Sequence, residues 1–132
     1  MPSFTIETTY HLPVYRHRTY QADTVEQACQ LAVEDDDWSD EKRDYESAGE
    51  TYVSGVWHGL DAAYHGVTVP IPSHFRETNE RKAAHFETLL GILKILGHAR
   101  ESHMPDFPFW LARAEAAIAK AEAILAGASD PG

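Results

Sequence analysis

Carboxylates are concentrated in one part of this sequence. Residues 23–50 hold eleven acidic and two basic residues, so about a fifth of the 132-residue chain carries most of its formal net charge of −10. The densest stretch is Glu34-Asp35-Asp36-Asp37-Trp38-Ser39-Asp40-Glu41. Neighbouring like charges repel each other unless water or cations surround them. This stretch is therefore predicted to lie on the surface.

Residues 34–46, the acidic segment, have three interpretations. A rigid acidic face fits the basic groove of a nucleic-acid-binding protein, because that groove already holds Lys and Arg placed for phosphates. Calcium binding is a second interpretation, but the segment has no glycine at the sharp turn of a calcium loop. The third is a solvated surface that keeps the protein soluble. Under the first interpretation, the partner-binding residues are Glu34, Asp35, Asp36, Asp37, Trp38, Asp40, Glu41, Asp44 and Glu46.

The cluster Tyr15-Arg16-His17-Arg18 is the one basic and aromatic group in the N-terminal half. Two arginines at positions i and i+2 share one face of a strand, where they can bind phosphate. The same pair can instead neutralise the acidic segment of its own chain or of a neighbouring copy. We expect this second arrangement.

Eight histidines raise the question of a metal site. His11 and His17 lie on either side of Pro13, whose missing N–H marks a bulge or corner that changes the facing of a strand. His98 and His103 are five residues apart, which is not the spacing of a helical ligand pair. We therefore expect scattered surface histidines, no metal and no cofactor.

His85 is different, because helical periodicity places it on an apolar face. It is predicted to be a buried, hydrogen-bonded histidine or to lie in an interface. The alternative is a pocket between sheet and helices, shared with Tyr10, Tyr52 and Trp57, in a small-ligand carrier or an enzyme. No phosphate-binding loop, nucleophile elbow or His-Glu helical motif occurs, so we predict no catalytic residue.

The elements that must position these residues begin with a β-α-β part, residues 1–58. Thr, Tyr and Val are frequent over residues 4–20, which favours one strand, or two bent at Pro13. Alternating β-branched and aromatic residues predict a further strand over 51–58.

A helix is predicted between these strands, over residues 24–34. Asp23 with Glu26 three residues later resembles a capping box. Apolar residues at helical spacing would pack one face of the helix, and we expect Cys29 to be a small packed side chain there rather than a nucleophile.

Over Phe4-Thr5-Ile6-Glu7 and Gln21-Ala22-Asp23-Thr24-Val25-Glu26-Gln27-Ala28, the chain resembles the small DpnD/PcfM-like proteins of mobile elements. The resemblance covers the N-terminal third and consists of a strand followed by a helix start. It implies a small accessory β-α-β module of undefined biochemistry and transfers no catalytic residue.

Two prolines, Pro70 and Pro72, help to make residues 59–76 a connector without regular structure. Residues 77–132 are predicted to form an antiparallel helical hairpin that covers the sheet. The fold class is therefore α+β, with a small antiparallel sheet in a single domain, residues 1–132.

The first helix of the hairpin is predicted over residues 77–96, with Gly97 as its C-cap. Its apolar arc is too wide for a single contact, so we expect it to form a homodimer interface as well. A loop with Pro105 and Pro108 leads to the second helix, over residues 109–126.

Composition limits the class of protein. With 43% apolar residues, 132 residues can bury one core without disulfides. The excess of 21 acidic over 11 basic residues disfavours direct nucleic-acid binding. The apolar stretch from Leu89 to Leu96 is interrupted by Lys94, so no membrane span is expected. The single cysteine fits a reducing compartment, and we expect a cytoplasmic protein.

These observations together favour a non-enzymatic binding protein whose acidic segment engages a basic surface of a protein partner. It would act as a nucleic-acid mimic or an inhibitor of a nuclease or defence-type complex. A ligand carrier or enzyme around His85 and a structural subunit of a host assembly are the alternatives.

Overall fold

A computed structural model describes residues 1–98 and 106–132 and has the expected α+β fold. Its helices and strands are β1 (Phe4–Thr9), β2 (Val14–Tyr15), α1 (Val25–Glu34), β3 (Lys42–Arg43), β4 (Tyr52–His58), α2 (Thr78–His98) and α3 (Phe107–Leu125). Short 3-10 helices lie at Tyr45–Ser47 and Ser73–Phe75. Within residues 1–98 and 106–132, the helices lack the combination of length and apolar character that spanning a membrane requires.

Contacts divide the chain into two compact units. The first unit contains residues 1–9 and 51–132, and the second contains residues 10–50. The chain thus leaves the first unit after β1 and returns to it just before β4.

The sheet of the first unit consists of β1 and β4, which pair antiparallel from Phe4 opposite His58 to Thr9 opposite Tyr52. On the other edge of β4, Trp57 forms an isolated bridge with Thr68 in the connector. The predicted strand over 51–58 and the small antiparallel sheet are confirmed.

Trp57 forms the core of this sheet and is only 6% exposed. Its indole ring packs over Gly55 on the same strand, where a Cβ atom would lie 2.8 Å from ring atom Cζ3. Tyr64 packs on the ring from the connector, with ring centroids 5.0 Å apart. The core therefore depends on the absence of a side chain at Gly55.

The two C-terminal helices form the predicted packed pair, α2 against α3. Small residues at the seam let the helices approach closely, and Ala114, Ala117 and Ile124 of α3 are buried. The helices pack against each other along this seam.

The predicted ends of these helices need correction. α2 continues through Gly97 to His98, so Gly97 lies within the helix rather than ending it. α3 begins at Phe107 and includes Pro108, which we expected in the loop. Proline fits there because the first N–H groups of a helix have no acceptor within it. The predicted loop position of Pro105 lies outside the described residues.

The second unit has its own short antiparallel pair, β2 with β3. It confirms a break in the extended segment at Pro13, whose carbonyl oxygen accepts a hydrogen bond from the Asp44 N–H at 3.0 Å. No residue of this unit is buried. Its order must therefore come from polar contacts rather than from an apolar core.

The start of α1 differs by one residue from the predicted capping box. Thr24 is the N-cap, and its side chain accepts a hydrogen bond from the Gln27 N–H at 3.1 Å. The Gln27 side chain in turn accepts from the Asp23 N–H at 3.2 Å. Thr24 and Gln27 thus replace the pair Asp23 and Glu26, because a cap needs its side chain at the last non-helical residue.

Candidate functional site

Arg18 forms ion pairs with three carboxylates of the acidic segment. Its guanidinium nitrogens lie 2.7 Å from Asp40, 2.9 Å from Asp35 and 3.1 Å from Asp37. The hydrogen bond to Asp40, with those to Asp35 and Asp37, raises the pKa of Arg18 further above its usual value. The predicted pairing of the arginines with their own acidic segment is confirmed.

Arg16 binds the backbone at the end of α1 and in the acidic segment. Its guanidinium donates hydrogen bonds to the carbonyl oxygens of Ala32, at 2.9 Å, and of Asp35 and Asp37. The last carbonyls of a helix have no partner within it, and a cation is favourable there. Arg16 therefore caps α1, and its guanidinium carbon also lies 4.0 Å from the ring centroid of Trp38.

Asp35 lies at the centre of this network. The hydroxyl of Tyr20 donates to its carboxylate at 2.7 Å, and the N–H of Asp37 donates at 3.1 Å. These two bonds, together with Arg18, lower the pKa of Asp35 strongly. The carboxylate is thus charged at any physiological pH and links Tyr20 and Arg18 to the turn that follows α1.

The neighbouring carboxylates also make local bonds. Hydrogen bonds from Ser39, then Arg18, lower the pKa of Asp37, and the bond from Arg18 lowers that of Asp40. Asp44 caps the 3-10 helix that follows it, accepting from the backbone N–H groups of Glu46 at 3.1 Å and Ser47 at 3.2 Å.

The predicted partner-binding residues therefore fall into two groups. Asp35, Asp37, Asp40, Asp44 and Trp38 make contacts inside the loop. The outward group has exposed side chains and consists of Glu34, Asp36, Glu41 and Glu46. Within the described residues, the carboxylates of Asp36, Glu41 and Glu46 make no hydrogen bond or ion pair.

Tyr20 was missed as a member of this site. Its signal is the spacing of Arg16, Arg18 and Tyr20, which alternate along an extended segment and so share one face. All three side chains are partly buried, whereas His17 and Thr19 between them are exposed.

His85 lies between α2 and α3, as a buried histidine with 4% exposure. Its Nε2 atom is 2.8 Å from the carbonyl oxygen of Ala117, which confirms the expected hydrogen-bonded position. An open depression of about 320 Å³ beside it is lined by Thr88, Ile92, Trp110, Arg113, Ala116, Ala117 and Lys120.

The other residues of the expected pocket are absent from the lining of this depression. Tyr52 and Trp57 belong to β4 and do not line the depression beside His85. Tyr10 belongs to the second unit and is half exposed. Catalytic chemistry at His85 thus has no support from this group of residues.

No three His, Cys, Asp or Glu residues come together to hold a metal ion in residues 1–98 and 106–132. Cys29 is exposed on α1, contrary to the packed position that we expected, because the second unit has no apolar core against which this helix could bury a face. His103 lies outside the described residues.

Family models, curated proteins and solved structures were compared with this chain, and none matches it. What supports a function is therefore the geometry of the acidic segment and of the α2–α3 pair.

Proposed function

We propose that this chain is a non-enzymatic binding protein whose acidic segment docks on a basic surface of a protein partner. The observation that supports the proposal is that both Arg16 and Arg18 bind the acidic segment. Arg16 binds its backbone carbonyls and Arg18 binds its carboxylates. An acidic surface that only aids solubility needs no such fixed conformation.

A fixed loop loses little conformational entropy when a partner binds it. The eight carboxylates of the acidic segment exceed the four charges of Lys42, Arg43, Arg16 and Arg18, which leaves a local balance of −4. A negative surface of this kind accelerates the approach of a basic partner and selects against acidic ones. The outward carboxylates Glu34, Asp36, Glu41 and Glu46 are proposed to make the contacts.

The test removes outward charge without touching the network. The variant D36N/E41Q/E46Q is compared with E80Q/E87Q/E115Q, which removes the same charge from exposed positions of the first unit. Each protein captures partners from a lysate of its native cell at low and at moderate salt, and mass spectrometry quantifies them.

We expect at least one basic protein whose capture falls about tenfold or more with D36N/E41Q/E46Q and with added salt, but not with the control. If the two variants capture the same proteins in the same amounts as the wild type, the proposal is wrong.

Mimicry of nucleic acid is the specific form of this function that we propose. A basic groove built for phosphates already holds Lys and Arg side chains at positions where a row of carboxylates can meet them. Short duplex DNA should then displace the captured partner from the acidic segment. A partner that binds DNA and this chain at the same time would exclude mimicry while leaving the binding function in place.

We also propose a homodimer through residues 77–96, supported by the exposed side chains of Phe86, Leu90 and Leu93.

A cytoplasmic location is proposed from the lone Cys29. The relationship to DpnD/PcfM-like proteins, and with it an origin on a mobile element, is proposed from the N-terminal residues alone.

A further inference from the structure

The α2–α3 pair carries a row of large apolar side chains that nothing in the described residues covers. Each is between 40% and 73% exposed. They are Phe86, Leu90 and Leu93 on α2, and Phe107, Leu111, Ile118 and Leu125 on α3. Three of those on α3 recur every seven residues, which is the spacing of a seam in a helical bundle.

Helical geometry places both rows on the same side of the pair. At about 100° per residue, Phe86 and Leu93 lie roughly 90° around α2 from His85, which faces α3. Ile118 and Leu125 lie on average about 80° around α3 from its buried seam, in the same rotational sense. In two antiparallel helices, equal senses of rotation from the shared seam lead to one common side.

The opposite side of the pair is the depression beside His85. Arg113 and Lys120 of α3 and Thr88 of α2 line it, and all three lie on the other flank of their helices. This side carries Lys120 and Arg113, whose guanidinium carbon lies 4.6 Å from the ring centroid of the half-exposed Phe109, whereas the other side carries the seven apolar side chains.

We propose that a second copy of this chain covers the apolar side, so that two α2–α3 pairs form a four-helix bundle with α2 packed on the partner's α3. The proposal rests on the homodimer proposed above and adds α3 to its interface. It is independent of the acidic segment.

The size of the apolar side supports this choice. Seven half-exposed large apolar side chains offer about 100 Å² each, or about 700 Å² per copy. A stable interface of standard size buries about 800 Å² per partner. A C2 dimer also needs a self-complementary face, and this one supplies an apolar row from each helix.

Charges beside the apolar rows favour α2 on α3 over α2 on α2. Lys82 on α2 and Glu122 on α3 are exposed, border the apolar side and make no ion pair within the described residues. His85 lies beside Ala117, so Lys82 and Glu122 lie at similar heights along the pair. A two-fold axis parallel to the helices then brings Lys82 of each copy close to the partner's Glu122.

The first test is the mass of the full chain in solution by sedimentation equilibrium. We expect twice the 14.8 kDa chain mass for the wild type and for L60Q, which changes an exposed leucine of the connector. The variant I118Q/L125Q should weaken dimerisation about 100-fold or more while its circular dichroism stays that of the wild type. A monomeric wild type, or a dimer unaffected by I118Q/L125Q, would overturn the bundle.

The second test is charge exchange. K82E and E122K should each weaken the dimer, because each places like charges together twice. An equal mixture of the two variants should recover dimer, because the carboxylate introduced at position 82 of one chain then meets the ammonium group introduced at position 122 of the other. No recovery on mixing would overturn the pairing of α2 with α3. Loss of the bundle and loss of partner capture are separate readouts, so either proposal can fail alone.

Discussion

The two units of this protein are ordered by different means. The first unit holds every buried residue of the described chain, including Trp57, His85 and the seam of α3. The second unit has none, and its loop is held by Arg16 and Arg18. Apolar burial is non-directional, whereas a guanidinium bonds only to acceptors placed in its plane.

The difference shows how a short segment inserted between two strands of a sheet can be ordered. Forty-one residues between β1 and β4 are too few to bury a core of their own. Arg16 and Arg18 bind carbonyl and carboxylate oxygens of the acidic segment and so give it one conformation. That conformation then depends on each of these bonds. The two units should therefore respond to different perturbations.

Removing Arg16 should give the largest effect. Its side chain is 8% exposed and its guanidinium binds three carbonyl oxygens, so R16A should destabilise the second unit by about 3 kcal/mol. Hydrogen exchange should rise over residues 34–46 and stay unchanged over α2 and α3. R43A removes the same charge from an exposed position and should change little. Equal exchange in R16A and R43A would contradict the role of Arg16 as a cap.

The reciprocal change is Gly55→Ala in the first unit. The added methyl group would overlap the indole ring of Trp57, so this variant should lower the free energy of unfolding of the first unit by about 2 kcal/mol. Gly91→Ala is the control, because its Cβ meets nothing within 4 Å in a helix. It should stabilise α2 by up to about 1 kcal/mol. Thermal unfolding checks both, and a G55A protein as stable as the wild type would mean that Trp57 packs differently.

Acid should loosen the second unit before the apolar part of the first. The pKa values of Asp35, Asp37 and Asp40 are lowered in the folded state, so their stabilising effect is complete above the ordinary value of about 3.9. It is lost as pH falls through the lowered values. Glu7 and Asp130 give the first unit a dependence of the same sign.

Hydrogen exchange between about pH 5 and pH 2.5, corrected for intrinsic rates, measures this difference. We expect the excess exchange to appear over residues 34–46 at a higher pH than over α3. Simultaneous loss of protection in both units would show that the carboxylates of the loop do not control its order.

The smallest effect is expected at the start of α1. Thr24→Ala removes the side chain that accepts from the Gln27 N–H and should cost about 1 kcal/mol, seen as faster exchange in the first turn. The same change at the exposed Thr19 should have no effect there. Unchanged hydrogen exchange in the first turn of T24A would indicate that Asp23, and not Thr24, caps α1.

Much of the fold was predictable from local patterns. Alternation predicted the strand that contains Trp57, and helical periodicity predicted α2 and the burial of His85. The errors at Gly97 and Pro108 arose because helix ends depend on which backbone groups find partners, and a sequence pattern does not show those partners.

The candidate site was half predictable. The charge of the acidic segment and its surface position follow from like-charge repulsion, and Arg16 and Arg18 were expected to pair with it. The division into inward and outward carboxylates was not predictable. It depends on which oxygen atoms come within about 3 Å of a guanidinium after the chain has turned.

The amino-acid order by itself determined the concentration of charge in residues 23–50, the absence of an internal disulfide and the amphipathic helices of the C-terminal part. These are properties of neighbours along the chain. Tertiary structure alone decided that Asp35 is bound while Asp36 faces outward, and that two apolar rows share one side of the helical pair. Those outcomes depend on contacts between distant residues, where a small rotation changes which atoms meet.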